Sequence, residues 1–276
     1  MLKNFLKLIY RFWLVQLLIN TFKISYHIFF YLPLCRSEYV SLKKYYNIHK
    51  GKRCFIVASG PSLTLEDVNK LKGEICFGMN SIYKLFDKTD WRPSYYCIYD
   101  PSVLQRIEED LKGVEFECAF YTDNLNIKLP NFQKIGLWDN WRGNSRVEKL
   151  LFPDSFQAKQ KRISHDISKY VYAGTSVVHV IMQICFYMGF EEIFLIGADC
   201  NFAGNEKHSN IVAYKNSNHI AESPEYIYKC LMRDYNRAKK YAQKRGVHIY
   251  NATRGGMLEV FPRVNLDAVL SNNVGN

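Results

Sequence analysis

The stretch CFIVASGPSL, residues 54–63, constrains the fold more than any other part of this 276-residue chain. Its first four residues form an unbroken apolar run, which is typical of a strand covered by helices on both faces of a parallel sheet. The Gly60-Pro61 pair then ends the strand, and Thr64 followed by acidic residues marks the start of a helix. The sequence therefore predicts a strand, a tight turn and a helix in direct succession.

This strand-turn-helix junction is a candidate anion site. A turn of this kind leaves several backbone N–H groups unpaired at the positive end of a helix, which favours a bound phosphate or carboxylate. The candidate donor-binding residues of the turn are Ser59, Gly60, Pro61 and Ser62. The turn has neither the full GxGxxG spacing nor the lysine of a P-loop, so it also fits a connection with no ligand.

From residue 50 onward, predicted strands and helices alternate along the chain. The predicted strands are 54–58, 75–79, 95–99, 116–121, 193–196 and 247–250. The predicted helices are 64–72, 102–112, 175–188 and 224–245. This alternation predicts an α/β fold with a Rossmann-like, doubly wound, mostly parallel sheet. Residues 122–172 are less regular, and we expect an insertion there that forms either a helical subdomain or a lid on the acceptor side.

The positive charge of the chain is concentrated at its N-terminus. Residues 1–53 contain ten Lys and Arg residues and one acid, Glu38, so they hold +9 of the net charge of +11. The remaining residues carry only +2, which gives little support for nucleic acid as a partner.

The N-terminal segment itself has an amphipathic pattern. Lys3, Lys7 and Arg11 recur at helical spacing among Leu, Ile, Phe and Trp residues, and the apolar run is too short to span a bilayer. No small-residue cleavage site follows it. We expect residues 1–45 to lie on an anionic membrane surface, or else to pack as a helix on the protein body, and residues 46–276 to form the catalytic domain.

The eight cysteines occur singly, several of them within apolar runs, and none forms a CxxC pair. A chain of this length can bury a sufficient core without disulfides. The cysteines are therefore expected to be reduced thiols of a cytosolic protein rather than a disulfide set.

Polar residues follow several of the predicted strands, and ligands of parallel sheets bind at these carboxyl ends. Asn80 is expected either to contact a base or sugar or to form an ordinary turn. Asp100, which precedes a proline, is either a ligand contact or a turn former. Gly174, Thr175 and Ser176 open a long apolar helix, where the two hydroxyl groups either bind an anion or simply cap the helix.

The last two predicted strands end in further candidates. Asp199 and Asn201 follow the strand 193–196, and Arg254 follows the strand 247–250 together with two glycines. Arg is well shaped for binding a phosphate or carboxylate, although an ordinary solvated arginine would give the same pattern.

Two histidines, His208 and His219, lie in a polar stretch after the strand 193–196 and are the candidate general bases. The alternative for each histidine is a solvated loop residue with no catalytic role. A third, His179, lies within an apolar helix and is expected to belong to the core. The sequence has no DxD, no HExxH, no GxSxG and no Cys or His set with metal-ligand spacing, so we expect neither a metal nor a Ser-His-Asp triad.

Four stretches together resemble the MptE-like superfamily. They are FIVASGPSL, FGMNSIY, AGTSVVHVIMQICFYMGFEEIFLIGADCNF and IYNATRGGMLEVFPRV. This group includes 6-hydroxymethylpterin diphosphokinases, motility accessory factors of flagellin glycosylation and glycan-cluster transferases. The resemblance covers about residues 50–265, and it extends more remotely to bacterial family 42 sialyltransferases.

The sialyltransferase resemblance implies a metal-independent, GT-A-like variant of the Rossmann fold with a lid histidine as base. It implies donor contacts at the positions Gly60, Ser62, Asn80, Thr175, Ser176 and Asp199, with His208 or His219 as the base. At Ser59, Asp100 and Asn201 the chain departs from the sialyltransferase pattern, which has Asn, Asn and Tyr there.

We therefore expect a glycosyltransferase of cell-surface polysaccharide or lipooligosaccharide assembly, with no cofactor. It would transfer a sugar from a CMP-type nucleotide donor to a glycan hydroxyl, in the cytoplasm and peripherally on the inner face of the cell membrane. One alternative is a 6-hydroxymethylpterin-type diphosphokinase that uses ATP and magnesium. Another is a non-catalytic glycan-cluster binding protein. The sequence leaves the oligomeric state open.

Overall fold

A computed structural model describes residues 18, 21, 37–122, 125, 127, 131–138, 163–201, 211–213 and 223–271 of the chain. The chain divides into two compact units, Met1–Val40 and Ser41–Asn276. Most of the predicted amphipathic segment lies outside the described residues, so its membrane role stays a prediction. Within the described part of the chain, no helix has the length and hydropathy that crossing a membrane requires.

The described residues form nine strands. These are β1 (Arg53–Val57), β2 (Cys76–Met79), β3 (Tyr95–Ile98), β4 (Ala119–Thr122), β5 (Phe132–Ile135), β6 (Leu137–Trp138), β7 (Val171–Tyr172), β8 (Glu192–Ile196) and β9 (His248–Asn251). Seven of them build one sheet in the order β5-β4-β3-β2-β1-β8-β9. Every neighbouring pair in that sheet is parallel. The strands β6 and β7 form a separate parallel pair.

Five α-helices accompany the strands. They are α1 (Leu65–Lys70), α2 (Pro101–Leu111), α3 (Val177–Met188), α4 (Pro224–Gln243) and α5 (Leu266–Ser271) within the described residues. Two 3₁₀ helices span Ser37–Tyr45 and Asn80–Leu85. The predicted boundaries of α2 and α4 agree with the structure to within about two residues, as expected for helices with a proline at their first turn.

Helices cover both faces of the large sheet. Successive residues of a strand point to opposite faces. Phe55 and Val57 of β1 lie in a hydrophobic cluster with buried residues of α1, α2 and α5. Cys54 faces the other way, and its sulfur lies 3.7 Å from that of Cys185 in α3. The α/β, doubly wound, Rossmann-like fold predicted from the sequence is therefore confirmed.

The strand order reverses at β1. From β1 the sheet grows through β2, β3, β4 and β5 in one direction and through β8 and β9 in the other. In doubly wound sheets, ligands usually bind at the carboxyl edge beside such a reversal of strand order. The strand-turn-helix stretch at residues 54–63 lies at this switch point.

Part of the region 122–172 supplies a strand of the main sheet, which the sequence did not predict. Residues 139–162 lie outside the described residues, so the expected helical subdomain or lid stays a prediction. Residues 132–135 form β5, which pairs with β4. The sequence FQKI has no apolar run, and three of its four residues are only half-buried. Such a composition is usual for a strand at a sheet edge, where one side has no partner. The periodicity criteria for a fully buried strand could not detect it.

The seven described cysteines are free thiols, and most of them are buried. This agrees with the predicted reduced core thiols for that part of the chain. His179 is also buried, as predicted, within α3.

Candidate functional site

The turn after β1 is fixed by contacts with the end of β8. The Gly60 N–H donates to the carbonyl oxygen of Gly197 at 2.8 Å. The Ser62 hydroxyl and N–H donate to Asp199 Oδ2 at 2.8 and 3.3 Å. A Cβ atom at Gly60 would clash with both the Asp199 carboxylate and the Gly197 carbonyl, so the close approach of the two loops requires glycine at this position.

The start of α1 is capped by its own side chains. Thr64 and Asp67 form a capping box in which each side chain accepts from the other residue's backbone N–H. Together with the Asp199 contacts, these bonds correct the expectation of several unpaired N–H groups at this junction. The Ser62, Thr64 and Asp67 N–H groups all have acceptors within the protein.

Arg254 is joined to the same helix start. Its Nη2 donates to Asp67 Oδ2 at 2.7 Å and to Thr64 Oγ1 at 3.0 Å. Just over half of the Arg254 side chain remains exposed. The arginine after β9 is therefore not a freely solvated residue, because an ion pair with a buried carboxylate holds it beside the turn.

A second arginine fixes the loop that carries Arg254. Arg263 donates to the carbonyl oxygens of Thr253, Gly255 and Gly256 and to the Glu259 carboxylate. A cavity of about 420 Å³ lies beside this loop, on the side of α1 and α5. Its lining includes Ser62, Asp67, Lys70, Thr253, Arg254, Arg263 and Asp267.

Asn80 follows β2 in a left-handed conformation, with φ of 50°. Asparagine tolerates this region better than most residues. Its carbonyl oxygen accepts from the Tyr96 hydroxyl at 2.6 Å. The side-chain oxygen Oδ1 is buried and has no hydrogen-bond partner among the described residues. Buried polar atoms rarely stay unpaired, so this oxygen is a candidate acceptor for a ligand.

The Gly174–Ser176 turn lies at the carboxyl end of β3 and opens α3. The hydroxyl of Tyr99, just after β3, donates to the carbonyl oxygen of Gly174. Ser176 is the N-cap residue of α3 and accepts from the Val178 N–H at 3.2 Å. A side chain at Gly174 would meet His179 at 2.6 Å, which explains the glycine.

Asp234 of α4 holds Thr175 in place. Its Oδ2 accepts from the Thr175 N–H and hydroxyl at 2.9 and 2.8 Å. Its Oδ1 accepts from Arg237 at 3.2 Å and lies 3.5 Å from Arg233 Nε. Asp234 is 1% exposed, so its charge is neutralised mainly by these arginines. The Thr175 groups that were expected to meet a ligand are thus already bonded to a carboxylate.

The residue after Asp199 is not a reactive thiol. Cys200 is buried in a left-handed conformation, and burial, then the neighbouring Asp199, raises its pKa to about 12. Burial likewise raises the pKa of Tyr235, whose hydroxyl contacts Ser176 and Cys200. Both groups are therefore neutral near pH 7 and serve as hydrogen-bonding groups.

The remaining predicted residues are distributed as follows. Asp100 is the N-cap residue of α2 and accepts from the Ser102 N–H and hydroxyl, both at 2.8 Å. This is the turn-forming role that the sequence left open. Asn201 is exposed after β8. His208 and His219 lie outside the described residues, so their role as base stays a prediction.

The predicted site residues fall on two sides of the switch point. Arg254 contacts the start of α1, whereas Thr175 and Ser176 open α3 on the opposite face of the sheet. Asp199 lies between them, at the end of β8. Among the described residues, no three His, Cys, Asp or Glu side chains are grouped so that they could hold a metal ion.

Sequence reasoning missed the part that α4 plays in the site. The buried residues of α4 include Cys230, Leu231, Asp234, Tyr235 and Ala238. Asp234 thus occupies a position in the apolar stripe, at helical spacing from its neighbours. An acid in that stripe was the one available signal that the helix carries a buried polar contact.

Several solved structures have a remotely similar fold. One is the MAf glycosyltransferase from Magnetospirillum magneticum AMB-1, with 12% identity and a TM-score of 0.47 over 84% of this chain. This chain spans only 38% of that protein's length. These values are too low to assign an activity.

The sialyltransferase CstII from Campylobacter jejuni, solved with the substrate analogue CMP-3FNeuAc, is also similar. It is 13% identical, with a TM-score of 0.42 over 77% of this chain and 86% of that one. A variant of the α-2,3/8-sialyltransferase CstII gives 11% identity and a TM-score of 0.39 over the same shares.

No curated protein matches the chain by sequence. A protein family does match. The profile of the family described as 6-hydroxymethylpterin diphosphokinase MptE-like aligns with residues 34–205, more than half of the chain. This range includes β1 to β8 and the turns that carry Gly60, Asn80 and Thr175. The chain therefore belongs to the 6-hydroxymethylpterin diphosphokinase MptE-like family.

Proposed function

We propose that this protein is a glycosyltransferase that takes a sugar from a CMP-type nucleotide donor and transfers it to a glycan hydroxyl. The donor would lie in the crevice at the carboxyl edge, between the turn after β1 and the N-terminus of α3. No metal takes part in this proposal. The N-terminal segment would hold the enzyme on the inner face of the cell membrane, where cell-surface glycans are assembled.

The observation that carries the proposal is the unpaired side-chain oxygen of Asn80. This oxygen is buried at the carboxyl end of β2, next to the strand where the sheet order reverses. Nucleotides bind at such switch points in doubly wound sheets. An amide side chain can pair with the amino and hydroxyl groups of a nucleoside, and a ligand of that kind would satisfy the group.

The chain between β8 and α4 supports the histidine base. Its described residues 211–213 are attached to the residues that follow β2. Ser81 donates to the carbonyl oxygen of Val212, and Lys84 donates to that of Ala213 at 3.1 Å. Val212 is fully buried. This attachment places the middle of the segment beside Asn80.

Chain length then limits how far each histidine can lie from this attachment. His208 is three residues from Ile211, a reach of about 11 Å, and His219 is six residues from Ala213, a reach of about 22 Å. We assign the base to His208 because its shorter tether costs less ordering entropy.

In the proposed reaction, the acceptor hydroxyl oxygen attacks the anomeric carbon of the donor sugar. The hydroxyl proton passes to the neutral imidazole, and the bond between the anomeric carbon and the phosphate oxygen breaks. The nucleotide leaves with the electron pair of that bond. The N-terminus of α3 stabilises the negative charge that develops on the phosphate.

The test compares Asn80→Gly with Asn47→Gly. Both positions are left-handed asparagines, with φ of 50° and 54°, so glycine is tolerated equally at both. Calorimetry with CMP should show that Asn80→Gly weakens binding by about three-fold to ten-fold, the value of one hydrogen bond. Asn47→Gly should bind as the wild type does. Equal affinity of all three proteins for CMP would contradict the proposed site.

The family description favours a second candidate, a pterin-type diphosphokinase that uses ATP and magnesium. Phosphoryl transfer of this kind needs carboxylates for the metal. Asp100 caps α2 and Asp199 binds Ser62, so both carboxylates already have partners in the protein. Binding of ATP that depends on magnesium, together with no binding of CMP, would favour this candidate.

A further inference from the structure

Residues 43–52, which lead into β1, carry an unusual concentration of positive charge. They include four lysines with exposed side chains, Lys43, Lys44, Lys50 and Lys52. Residues 39–65 contain no Asp or Glu. None of these lysines forms an ion pair with a residue that the structure describes. This part of the surface therefore attracts anionic partners.

Apolar side chains are exposed among these lysines. Tyr46 is 61% exposed, and Ile48 is 42% exposed. Lysines interspersed with exposed aromatic and aliphatic side chains are typical of proteins that lie at the interface of a membrane with water. We call the exposed residues Lys43, Lys44, Tyr46, Ile48, Lys50 and Lys52 the basic turn surface.

The inward-facing residues of this stretch attach the basic turn surface to the folded domain. Leu42 and Tyr45 are buried, and the His49 ring stacks on that of Phe190 with the ring centroids 4.7 Å apart. These three inward residues are spaced three and four positions apart, and the side chains between them face solvent. The surface is therefore part of the domain and not of a separate segment.

Backbone hydrogen bonds hold the same stretch. The Asn47 N–H donates to the carbonyl oxygen of Tyr187 at 3.0 Å, and the His49 N–H donates to that of Met188 at 2.9 Å. Both carbonyl groups belong to the last turn of α3. The Tyr46 ring also packs on that of Tyr187, with the ring centroids 5.3 Å apart. A turn fixed in this way loses little conformational entropy when its surface binds a partner.

The basic turn surface lies at the amino edge of the sheet. The Tyr45 hydroxyl oxygen lies 3.2 Å from the sulfur of Cys118, which directly precedes β4. His49 Nε2 lies 2.7 Å from the hydroxyl oxygen of Tyr95, the first residue of β3. The candidate functional site lies at the opposite, carboxyl edge. Because β1 has five residues, the two edges are about 17 Å apart.

We propose that the basic turn surface binds an anionic lipid bilayer. Its lysines attract acidic lipid head groups, and Tyr46 and Ile48 enter the interfacial layer. A bilayer fits this surface better than a nucleic acid does, because an aliphatic side chain such as Ile48 gains stability by leaving water. One acid, Glu191, lies beside Gly51, so the four lysines keep an excess of positive charge.

Binding through this surface orients the enzyme. The amino edge of the sheet faces the bilayer, and the candidate site opens on the side away from it. The surface belongs to the unit Ser41–Asn276, so it is a second membrane contact in addition to the predicted N-terminal segment. Two weak anchors together give stable attachment, whereas one alone is marginal. The inference rests on the membrane location in the proposed function but does not depend on the donor.

The experiment measures the affinity of the full chain for vesicles of phosphatidylcholine, alone and mixed with phosphatidylserine. A charge variant combines Lys43→Gln, Lys44→Gln and Lys50→Gln. It should bind the mixed vesicles about a hundred-fold more weakly, since each lysine near an anionic surface contributes about five-fold. The matched control replaces the same three lysines by Arg. It keeps the charge and should bind as the wild type does.

A second pair of variants tests the apolar side chains. The apolar variant combines Tyr46→Ser and Ile48→Ser and should bind the mixed vesicles about ten-fold more weakly. Its control combines Tyr226→Ser and Met257→Ser. These two side chains lie elsewhere on the surface and have similar exposure, 60% and 47%. The control should bind as the wild type does.

The results decide between the possible partners. Unchanged affinity of the charge variant for the mixed vesicles overturns the inference. An equal loss in the arginine control also overturns it, because charge would then not be the cause. Loss in the charge variant with full binding of the apolar variant supports the lysine contact and contradicts the entry of Tyr46 and Ile48. Weaker binding of single-stranded RNA by the charge variant, with unchanged vesicle binding, would assign the surface to nucleic acid instead.

Two further results separate this inference from the other proposals. All variants keep Lys3, Lys7 and Arg11, so a difference in vesicle binding belongs to the basic turn surface. The affinity for CMP should be the same in the charge variant and in the wild type. If the wild type binds the mixed vesicles but not CMP, the proposed donor is wrong and this inference stands. If the wild type binds CMP but no vesicles, this inference is wrong and the proposed donor stands.

Discussion

The Asp199 carboxylate lies 2.8 Å from the hydroxyl oxygen of Ser62. This bond joins the loop after β8 to the turn after β1, the two strands that meet where the sheet order reverses. A strand-turn-helix sequence suggests unpaired backbone N–H groups at this point, but Asp199 also accepts from the Ser62 N–H. The donor crevice of the proposed enzyme is therefore bounded by a fixed contact between two loops.

Gly60 lies at this contact, and there is no room for a side chain at its position. In Gly60→Ala, the new Cβ would meet the backbone oxygen of Gly197, which cannot move without disturbing β8. We expect a loss of about 1–3 kcal/mol in the free energy of unfolding, the usual cost of overpacking. Chemical denaturation measures it.

Gly113→Ala is the matched control, because nothing lies within 4 Å of a Cβ atom there. It should be at least as stable as the wild type. Equal stability of the two variants would show that the loops do not approach each other as described.

Asp234 should matter far more for stability than an exposed acid. Its buried carboxylate is bonded to Thr175 and Arg237, and its neutralisation in Asp234→Asn leaves a partly buried arginine without its counter-charge. Breaking such a buried pair costs about 3 kcal/mol or more. The free energy of unfolding in urea tests this.

Asp267→Asn provides the comparison, since Asp267 is mostly exposed in its ion pair with Lys70. It should lose about 1 kcal/mol or less. A small effect of Asp234→Asn, comparable with that of Asp267→Asn, would mean that the Thr175 turn does not depend on α4.

The sequence was sufficient to predict most of the sheet. β1 and β8 are short apolar runs buried on both faces, so their composition alone identifies them. β5 could not be recognised, because an edge strand needs no apolar run. Its identity depends on pairing with β4.

The sequence predicted where the candidate site residues lie but not which hydrogen bonds they form. Gly60 and Asn80 follow predicted strands, and parallel strands end together at the carboxyl edge. Thr175 was a candidate because it opens a helix. Which N–H groups remain free depends on residues far away in the chain. Asp199 is 137 residues from Ser62, and Asp234 is 59 residues from Thr175. No local pattern contains such pairings.

The N-terminal membrane anchor can be tested in the full chain. Replacement of Lys3, Lys7 and Arg11 by Gln removes the basic face of the predicted helix. Each such residue near an anionic surface contributes about 1 kcal/mol of binding, so the triple variant should no longer sediment with phosphatidylserine vesicles. A control with Lys229, Lys240 and Lys244 replaced by Gln loses the same charge from α4 and its end. If both variants bind vesicles as well as the wild type, the anchor assignment is wrong.

The choice between the two histidines is tested by single-turnover kinetics at saturating donor. His208→Ala should lower the rate by about 10²–10⁴, the usual contribution of a general base, with little change in donor affinity. His219→Ala should have a much smaller effect. The reverse pattern would assign the base to His219, and full activity of both variants would exclude a histidine base.

The most direct test of the proposed function is the binding of nucleotides to the wild-type protein. Isothermal titration with CMP, CDP, UDP, GDP and ATP, each with EDTA and with magnesium, separates a sugar-nucleotide enzyme from a diphosphokinase. We predict that CMP binds most tightly and that its affinity is the same in EDTA and in magnesium. Binding of ATP alone, and only with magnesium, would contradict the account.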